Sequence, residues 1–552
     1  MRKKKMIGAA LGNCVHVAGV LHFLRLAEDE SYDTIFLGPA VPPEEVLNRI
    51  REEQPDYVAV GYRLTPENGA ALIRRLIEGA RTLPMQPHWI FGGTRPVAEA
   101  VRQIGFFDTI FDGTEDIDEC IAFLRTGFLP KTGGAEVWPK DLLTRLRQKC
   151  PYPLLRHHFG LPSYADTLEG IRRISEARVL DVISLGIDQN TQQFFFHPAL
   201  RQPDLEGAGG VPVHSAKEFS ALREAARCGN FPLMRCYSGT ADVLDFAQVL
   251  EDTLDNAWCA VPLCWYNELD GRGTRKLEQS LRDAQALLRR CGEKGLSAEV
   301  NEPHHWGLRD AHDTISVAMS YISAYNAKRC GVKDYISQYM FNIPAGLSFA
   351  MDLGKVLAQI ELTESLADAH FRTYREVRAG LPFLNADPEV ARGQLASSTM
   401  LAMNVRPDII HVVGYSEAER AATPEIVSES CRLVRGVVRS TLEGNADATF
   451  DPAVQTRKEE LLQEAKYLLS FIAHSYANSS SDPLADPYVL TDCVRRGILD
   501  APHIRKTGEY RGVLETRLYD GKCLAYDRAS ATFPSEEQRL AALAARARAA
   551  GE

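Results

Sequence analysis

The first 130 residues alternate, five times over, between a short apolar run and a stretch with helical spacing. Met6–Leu11 precedes a helical pattern over Val17–Ala27, and Thr34–Leu37 precedes Pro43–Glu53. Tyr57–Gly61 precedes Asn68–Arg81, His88–Phe91 precedes Val97–Ile104, and Thr109–Phe111 precedes Ile117–Leu124. Runs of three to six strand-forming residues near Gly or Pro are strand signals; the intervening 3.6-residue period is a helix signal. Strict alternation predicts a parallel sheet covered by helices on both faces. Ligands of such sheets bind beyond the carboxyl ends of the strands. Those ends carry His16 between Gly12 and Gly19, then Gly61-Tyr62-Arg63-Leu64, then Gly92-Gly93, then Asp112-Gly113-Thr114.

The whole chain has 552 residues, enough for two to four domains. Its net charge of -10 argues against a nucleic-acid surface. The basic opening Met1–Lys5 is followed by too short an apolar run for a signal peptide, and no segment has the length of a membrane span, so a cytoplasmic protein is expected. The 12 cysteines include no Cys-x-x-Cys pair, which points to scattered thiols rather than a zinc, iron–sulfur or disulfide framework.

A turn-rich stretch from Thr126 to Cys150 separates this region from a second alternating one. Strands are expected at Val179–Gly186, Leu233–Cys236, Trp258–Leu263, Ser297–Val300, Asp334–Gln338, Thr399–Ala402 and Ile409–Val413. Long helical patterns lie between them, and the count suggests a (β/α)₈ barrel of the TIM type. The expected organisation is a flavodoxin-like, Rossmann-like domain over 1–129, a linker over 130–150, the barrel over 151–480 and a C-terminal segment, 481–552, packing on it. That last segment reads as a helix, a hairpin turned at Asp520-Gly521 and a terminal helix over Glu536–Ala550.

The strand ends of the first region resemble the cobalamin-binding domain of methionine synthase and the carbon-skeleton mutases. That family carries Asp-x-His-x-x-Gly after the first strand, Ser-x-Leu after the third and Gly-Gly after the fourth. Here stand Cys14-Val15-His16-Val17-Ala18-Gly19, Tyr62-Arg63-Leu64 and Gly92-Gly93. The resemblance implies that His16 ligates cobalt, that Cys14, Gly19, Tyr62, Leu64, Gly92, Gly93, Gly113 and Thr114 surround the cofactor, and that glycines let the backbone approach its nucleotide tail. Two departures stand out. Cys14 replaces an Asp that accepts a hydrogen bond from the ligating imidazole, and Tyr62 puts a larger group in place of Ser, near the tail.

The second region resembles the large component of glutamate mutase (methylaspartate mutase). Pro232-Leu233-Met234-Arg235 with Gly239-Thr240-Ala241-Asp242, Asn301-Glu302-Pro303, Gly331-Val332-Lys333 and Gly497–Pro502 match it in order. The resemblance implies an adenosylcobalamin-dependent radical rearrangement of a small carboxylate, with Arg235 as the carboxylate-binding residue and a homodimer as a possible assembly. The family's amine-binding Glu falls on Val261, or on Ala260 with a one-residue gap, so a substrate other than glutamate is expected. Glu302, His304 and Tyr237 are the further catalytic candidates from the polar clusters at strand ends. A corrinoid methyltransferase, a radical eliminase on the same scaffold and a non-enzymatic cobalamin binder stand as alternatives.

Overall fold

The computed structural model describes residues 3–115, 117–127, 138–504, 509–510 and 512–550. It divides into two compact units, 1–137 and 138–552.

In the first unit, β1 (Lys5–Ala10), β2 (Asp33–Phe36), β3 (Tyr57–Tyr62), β4 (His88–Gly93) and β5 (Thr109–Phe111) alternate with α1 (Ala18–Asp29), α2 (Pro43–Glu53), α3 (Pro66–Ala80), α4 (Arg95–Arg102) and α5 (Ile117–Thr126). The strands form one parallel sheet in the order β2-β1-β3-β4-β5. This is the flavodoxin-like order, whose topology reverses between β1 and β3. Val20, Leu24 and Ala27 of α1 pack with Phe123 and Leu124 of α5 on one face. Val46, Ile50, Ile73, Leu76 and Val97 cover the other, from α2, α3 and α4. Every residue of β3 is buried, as a strand covered on both faces requires.

In the second unit, eight parallel strands follow: β6 (Leu154–Phe159), β7 (Val182–Leu185), β8 (Leu233–Cys236), β9 (Cys259–Val261), β10 (Ala298–Val300), β11 (Asp334–Phe341), β12 (Arg372–Ala379) and β13 (Ile409–Val412). Each pairs with the next except β8 with β9, and β13 pairs back to β6. Between β8 and β9 a single bridge, Tyr237 to Ala260, makes the join, reinforced by Ser238 Oγ donating to the Ala260 carbonyl at 3.1 Å. The result is a nearly closed α/β barrel. The expected strand at Thr399–Ala402 is instead part of the helix Pro388–Met403, whose N-terminus is capped by Asp387. Two barrel strands, β6 and β12, go unanticipated in the sequence because Arg156, His158, Glu376 and Arg378 interrupt their apolar pattern.

The barrel floor is apolar: Leu154, Val182, Leu233, Trp258, Ile336 and Ile409 form one buried cluster. Leu142 and Leu146 join it from the helix Leu142–Lys149. That stretch was expected as linker; it is a capped helix that seals the amino-terminal end of the barrel. Its Arg145 donates to the carbonyls of Asp181 (3.2 Å), Pro139 (2.8 Å) and Phe231 (2.9 Å). Residues 130–137 of the expected linker lie outside the described residues. The hairpin β14 (Thr516–Tyr519) and β15 (Lys522–Ala525) is tied to the barrel, since Cys523 N donates to Asp313 Oδ2 at 3.1 Å and Ser348 N to the Gly521 carbonyl at 3.0 Å. The terminal helix Glu536–Ala550 is held by Arg539, which donates to the carbonyls of Gly497 (2.9 Å) and Ile498 (2.8 Å).

Leu142 is 2% exposed. Leu142→Ala is expected to destabilise the protein by about 2–5 kcal/mol in denaturant titration, the range for emptying a packed leucine site. An unchanged midpoint would show that the helix does not seal the barrel.

Candidate functional site

Two places bring chemistry-bearing side chains together, one in each unit. The first is the loop after β1. It turns at Gly12, whose φ of +65° suits glycine. Gly12 N donates to the Val41 carbonyl at 2.7 Å and Leu11 N to the Gly61 carbonyl at 2.9 Å. Tyr62 OH donates to Asn13 Oδ1 at 3.2 Å, and Cys14 is wholly buried. Residues 11–14 are therefore pinned to the sheet, while Val15 and His16 are left exposed at the sheet's topological switch. Cys14 Sγ lies 3.7 Å from His16 Nδ1. If the ring keeps its proton on Nδ1, Nε2 is the free nitrogen, and it has no partner among the described residues.

The glycine positions show which face of the sheet is open. Gly61 and Gly92 are paired across β3 and β4, so their missing side chains would point to the same face. A Cβ on Gly61 would meet Val20 of α1 at 2.7 Å, whereas one on Gly92 would meet nothing within 4 Å. Vacant space thus lies over Gly92 on the α1 side. Gly93 faces the other way, and a Cβ there would meet the Tyr62 carbonyl and Phe91 at 2.8 Å. The two glycines do different jobs: one leaves room, the other permits close packing. Tyr62, expected near the cofactor tail, packs against Gly69 of α3 on the face opposite Gly92. Its bulk reaches the site only through Asn13. Gly19, Leu64, Gly113 and Thr114 are exposed at the same end of the sheet. Thr114 is bound within its own turn, donating from Oγ1 to Asp112 Oδ1 at 2.6 Å.

The second place is the barrel interior. Above the apolar floor the inward side chains are polar: Arg156, Ser184, Arg235, Glu299, Gln338, Glu376 and His411, each 3% exposed or less. Glu299 joins them. It accepts from Arg235 Nη2 at 2.6 Å, from Trp258 Nε1 at 2.6 Å and from Asn301 Nδ2, and stands 3.9 Å from Arg156 Nη2. Burial opposes its charge, but Arg235 and Arg156 outweigh burial and hold the carboxyl down at about 2. Arg156 Nε is 2.8 Å from Glu376 Oε1, and Arg156 Nη2 donates to His411 Nδ1 at 2.8 Å. An arginine has no acceptor, so His411 carries its proton on Nε2. Burial pushes Glu376 up to about 7 despite Arg156.

A ring-lined rim lies above this layer. His158 stacks on Tyr237 (5.6 Å, 4°), Tyr237 meets Tyr266 (6.0 Å), Tyr266 meets His305 (5.6 Å), and His305 meets His304 (4.4 Å). His158, Tyr237, Tyr266 and Arg378 are partly buried, whereas the layer beneath them is fully buried. Burial first, then neighbouring guanidiniums including Arg378, hold His158, His304 and His411 far below the ordinary histidine range. They are neutral at pH 7.

Arg235 sits in the buried layer, one level below the strand end assigned to it. Its guanidinium lies 4.4 Å from the Tyr237 ring centre, a cation–π distance. Nε and Nη1 of Arg235 have no hydrogen-bond partner, nor does Nδ1 of His304. Glu302 does not face this cluster. It turns to the loop after β9 and accepts from Cys264 N at 3.1 and 3.3 Å, so its place among the catalytic candidates is corrected to a backbone cap. Burial lifts its carboxyl to about 8 against the bonds from Cys264. Neither Val261 nor Ala260 offers a carboxylate: Val261 lies in the core outside the barrel, and Ala260 bridges to Tyr237. The sequence pointed to Arg235, Tyr237 and His304, and to Gln338 as a polar strand end, but passed over Arg156, His158, Glu299, Glu376, Arg378 and His411. The signal was present as charged or polar residues two apart: Arg156 and His158, Arg235 and Tyr237, Glu299 and Asn301, Glu376 and Arg378.

Comparison with known proteins bears on the first unit. The B12 binding domain family matches residues 4–121. Among solved structures, the chain is similar to a novel cobalamin-binding protein from Desulfitobacterium hafniense, at 21% identity, 20% coverage of this chain, 53% of that one and a TM-score of 0.18. The chain thus spans about half the length of that protein. It is also similar to a Rubisco-like protein from Rhodopseudomonas palustris, at 12% identity, 58% coverage of this chain, 78% of that one and a TM-score of 0.32. No curated protein matches. The N-terminal unit is a B12-binding domain of Rossmann-like fold, and a nearly closed eight-stranded barrel follows it. Among the described residues no helix is long and apolar enough to cross a membrane.

The residues of the first unit fit a corrinoid. An imidazole nitrogen is a good ligand for a transition metal, and His16 presents one on an anchored loop. The vacant position over Gly92 is the room that a planar ring needs.

Gly92→Ala is expected to leave the unfolding midpoint unchanged while lowering retained corrinoid about tenfold or more. Gly93→Ala is expected to destabilise the fold by about 1–3 kcal/mol. Equal effects at both positions would remove the distinction. Glu302 supplies a pH test. Its folded pKa is raised, so the stability it contributes is present at low pH and is lost as pH rises from about 4.5 through about 8. Glu302→Gln is expected to flatten that decline in denaturant titrations; an unchanged slope would show that Glu302 ionises freely.

Proposed function

We propose that the chain is an adenosylcobalamin-dependent enzyme that rearranges the carbon skeleton of a small carboxylate by a radical route. The observation that carries this reading is the buried, half-used guanidinium of Arg235. One nitrogen serves Glu299, while Nε and Nη1 have no partner. A buried charged donor left unmatched is strongly unfavourable, and a planar carboxylate is its natural complement. The B12-binding domain supports a cobalamin-dependent enzyme.

When bound, adenosylcobalamin supplies radical chemistry. His16, through Nε2, would hold the cobalt, and the space over Gly92 would take part of the nucleotide tail. In the barrel, Arg235 binds the substrate carboxylate and Glu299 fixes the guanidinium plane. Tyr237 packs over that guanidinium, stacked on His158, and so fixes the direction from which substrate approaches. The apolar floor keeps water from entering below. His304, with Nδ1 unpartnered, is placed to hydrogen-bond a second substrate group.

The experiment is EPR of the protein loaded with adenosylcobalamin while short carboxylic acids are added in turn. An organic radical signal on addition of one acid, with turnover reduced about 100-fold in Arg235→Lys, is the expected result. A methylated corrinoid as the active form, or no radical with any acid, would overturn it.

A further inference from the structure

The carboxyl end of the first unit's sheet carries polar groups that its own fold does not use. Arg63 and Arg95 are exposed and Thr94 is half-buried, and none of the three side chains has a hydrogen-bond or ion-pair partner among the described residues. Thr94 heads α4, a position where threonine commonly caps, yet its hydroxyl makes no cap bond. The acids of this end are engaged elsewhere. Asp112 pairs with Arg102 at 2.7 Å and accepts from Thr114 at 2.6 Å. Glu115 accepts from the backbone N–H groups of Asp112 and Gly113, each at 3.1 Å, and Glu99 pairs with Arg102 at 3.1 Å. Glu67 stands in the first turn of α3, which covers the opposite face of the sheet.

Strand register brings Arg63 and Thr94 together. Tyr62 pairs with Gly93, so the two residues that follow them begin about 5 Å apart, the spacing of neighbouring strands. Continuing the alternation of each strand, Arg63 falls on the face of Gly61, and Thr94 on that of Gly92. This is the α1 face, where the position over Gly92 is vacant. The row one step deeper on that face reads Ala10, Gly61, Gly92 and Phe111, with the Phe111 ring 5.1 Å from that of Phe23 in α1. Apolar room for a ring therefore lies beneath a mouth that offers a guanidinium and a hydroxyl.

The tail of a corrinoid has the same polarity. Its base is an uncharged ring, and the phosphodiester that joins it to the corrin carries a negative charge. A guanidinium is the planar, two-pronged complement of phosphate oxygens. We infer that Arg63 and Thr94 bind the phosphodiester of the nucleotide tail while its base enters the space over Gly92, with Arg95 adding positive charge beside them. The inference rests on the B12-binding domain and the place it gives the tail, and is independent of the mutase reading.

The test is equilibrium dialysis of the full-length protein, read by corrinoid absorbance, against cobalamin, a cobamide whose tail base is a phenol, and cobinamide, which lacks the nucleotide. Each variant is compared with wild type on the same corrinoid, so the cost of displacing a coordinated base cancels. Arg63→Gln is expected to weaken both tailed corrinoids about tenfold and to leave cobinamide unchanged, and the double variant Arg63→Gln, Arg95→Gln to weaken them at least as much. An equal loss for cobinamide, a loss confined to cobalamin, or no loss in the double variant overturns the inference. The cofactor reading fails separately: a wild-type protein that retains none of the three corrinoids overturns both, whereas a tail-independent effect of Arg63 overturns the phosphate contact and leaves His16 as the cobalt ligand.

Discussion

The barrel interior depends on one buried carboxylate. Glu299 lies on a three-residue strand, β10, and gathers Arg235, Arg156, Trp258 and Asn301 from four strands or strand ends. Without it, the buried guanidiniums of Arg156 and Arg235 would be left with Glu376 as the remaining acid of the layer. Such a pair is not a source of net stability, since desolvation of both ions offsets most of their attraction. Its value is positional. Glu299 holds the Nη2 end of the Arg235 guanidinium, and Nε and Nη1 are left without a protein partner. Arg156 plays the matching part on the other side, donating to His411 and Ser184 and forming an ion pair with Glu376. Together they make a rigid charged layer between an apolar floor and a ring-lined rim.

The B12-binding domain solves a similar problem by different means. A metal ligand has to project from the sheet yet stay fixed. Backbone bonds from Leu11 and Gly12, the buried Cys14 and the Tyr62–Asn13 bond hold the base of the loop. Val15 and His16 face outward. Cys14 sets a thiol sulfur 3.7 Å from Nδ1 of His16, a weaker acceptor than a carboxylate would be. Tyr62, expected from sequence as a larger group near the cofactor tail, is part of the anchor.

How legible this was in sequence differed between the two units. In the first, apolar strands between amphipathic helices are what a doubly covered parallel sheet requires, and the strand ends could be read directly. In the barrel the same rule misled. β6 reads Leu-Leu-Arg-His-His-Phe and β12 reads Arg-Thr-Tyr-Arg-Glu-Val-Arg-Ala, neither of which resembles a buried strand. Their polar residues alternate because one face lines a charged cavity, and local hydrophobicity cannot report a partner that arrives from a strand 140 or more residues away, as Glu299 does for Arg156. The apolar helix pattern over Pro388–Met403 hid in the opposite way: its buried residues Leu401, Ala402 and Met403 are adjacent and so mimic a strand. Glu302 was singled out because it stands among polar residues, but its side chain turns away from them to cap a backbone amide. Composition identifies polar clusters; only the direction of each side chain decides which of them form a site.

The central claim is that His16 holds a corrinoid on an anchored loop. The most direct measurement is EPR of the cobalt(II) form of the bound corrinoid, after desalting, in protein carrying ¹⁵N-labelled histidine. The account predicts that corrinoid is retained and that the axial coupling pattern changes with the label, and that His16→Ala abolishes this change. Loss of all corrinoid on desalting, or a pattern that ignores both the label and the substitution, would contradict it.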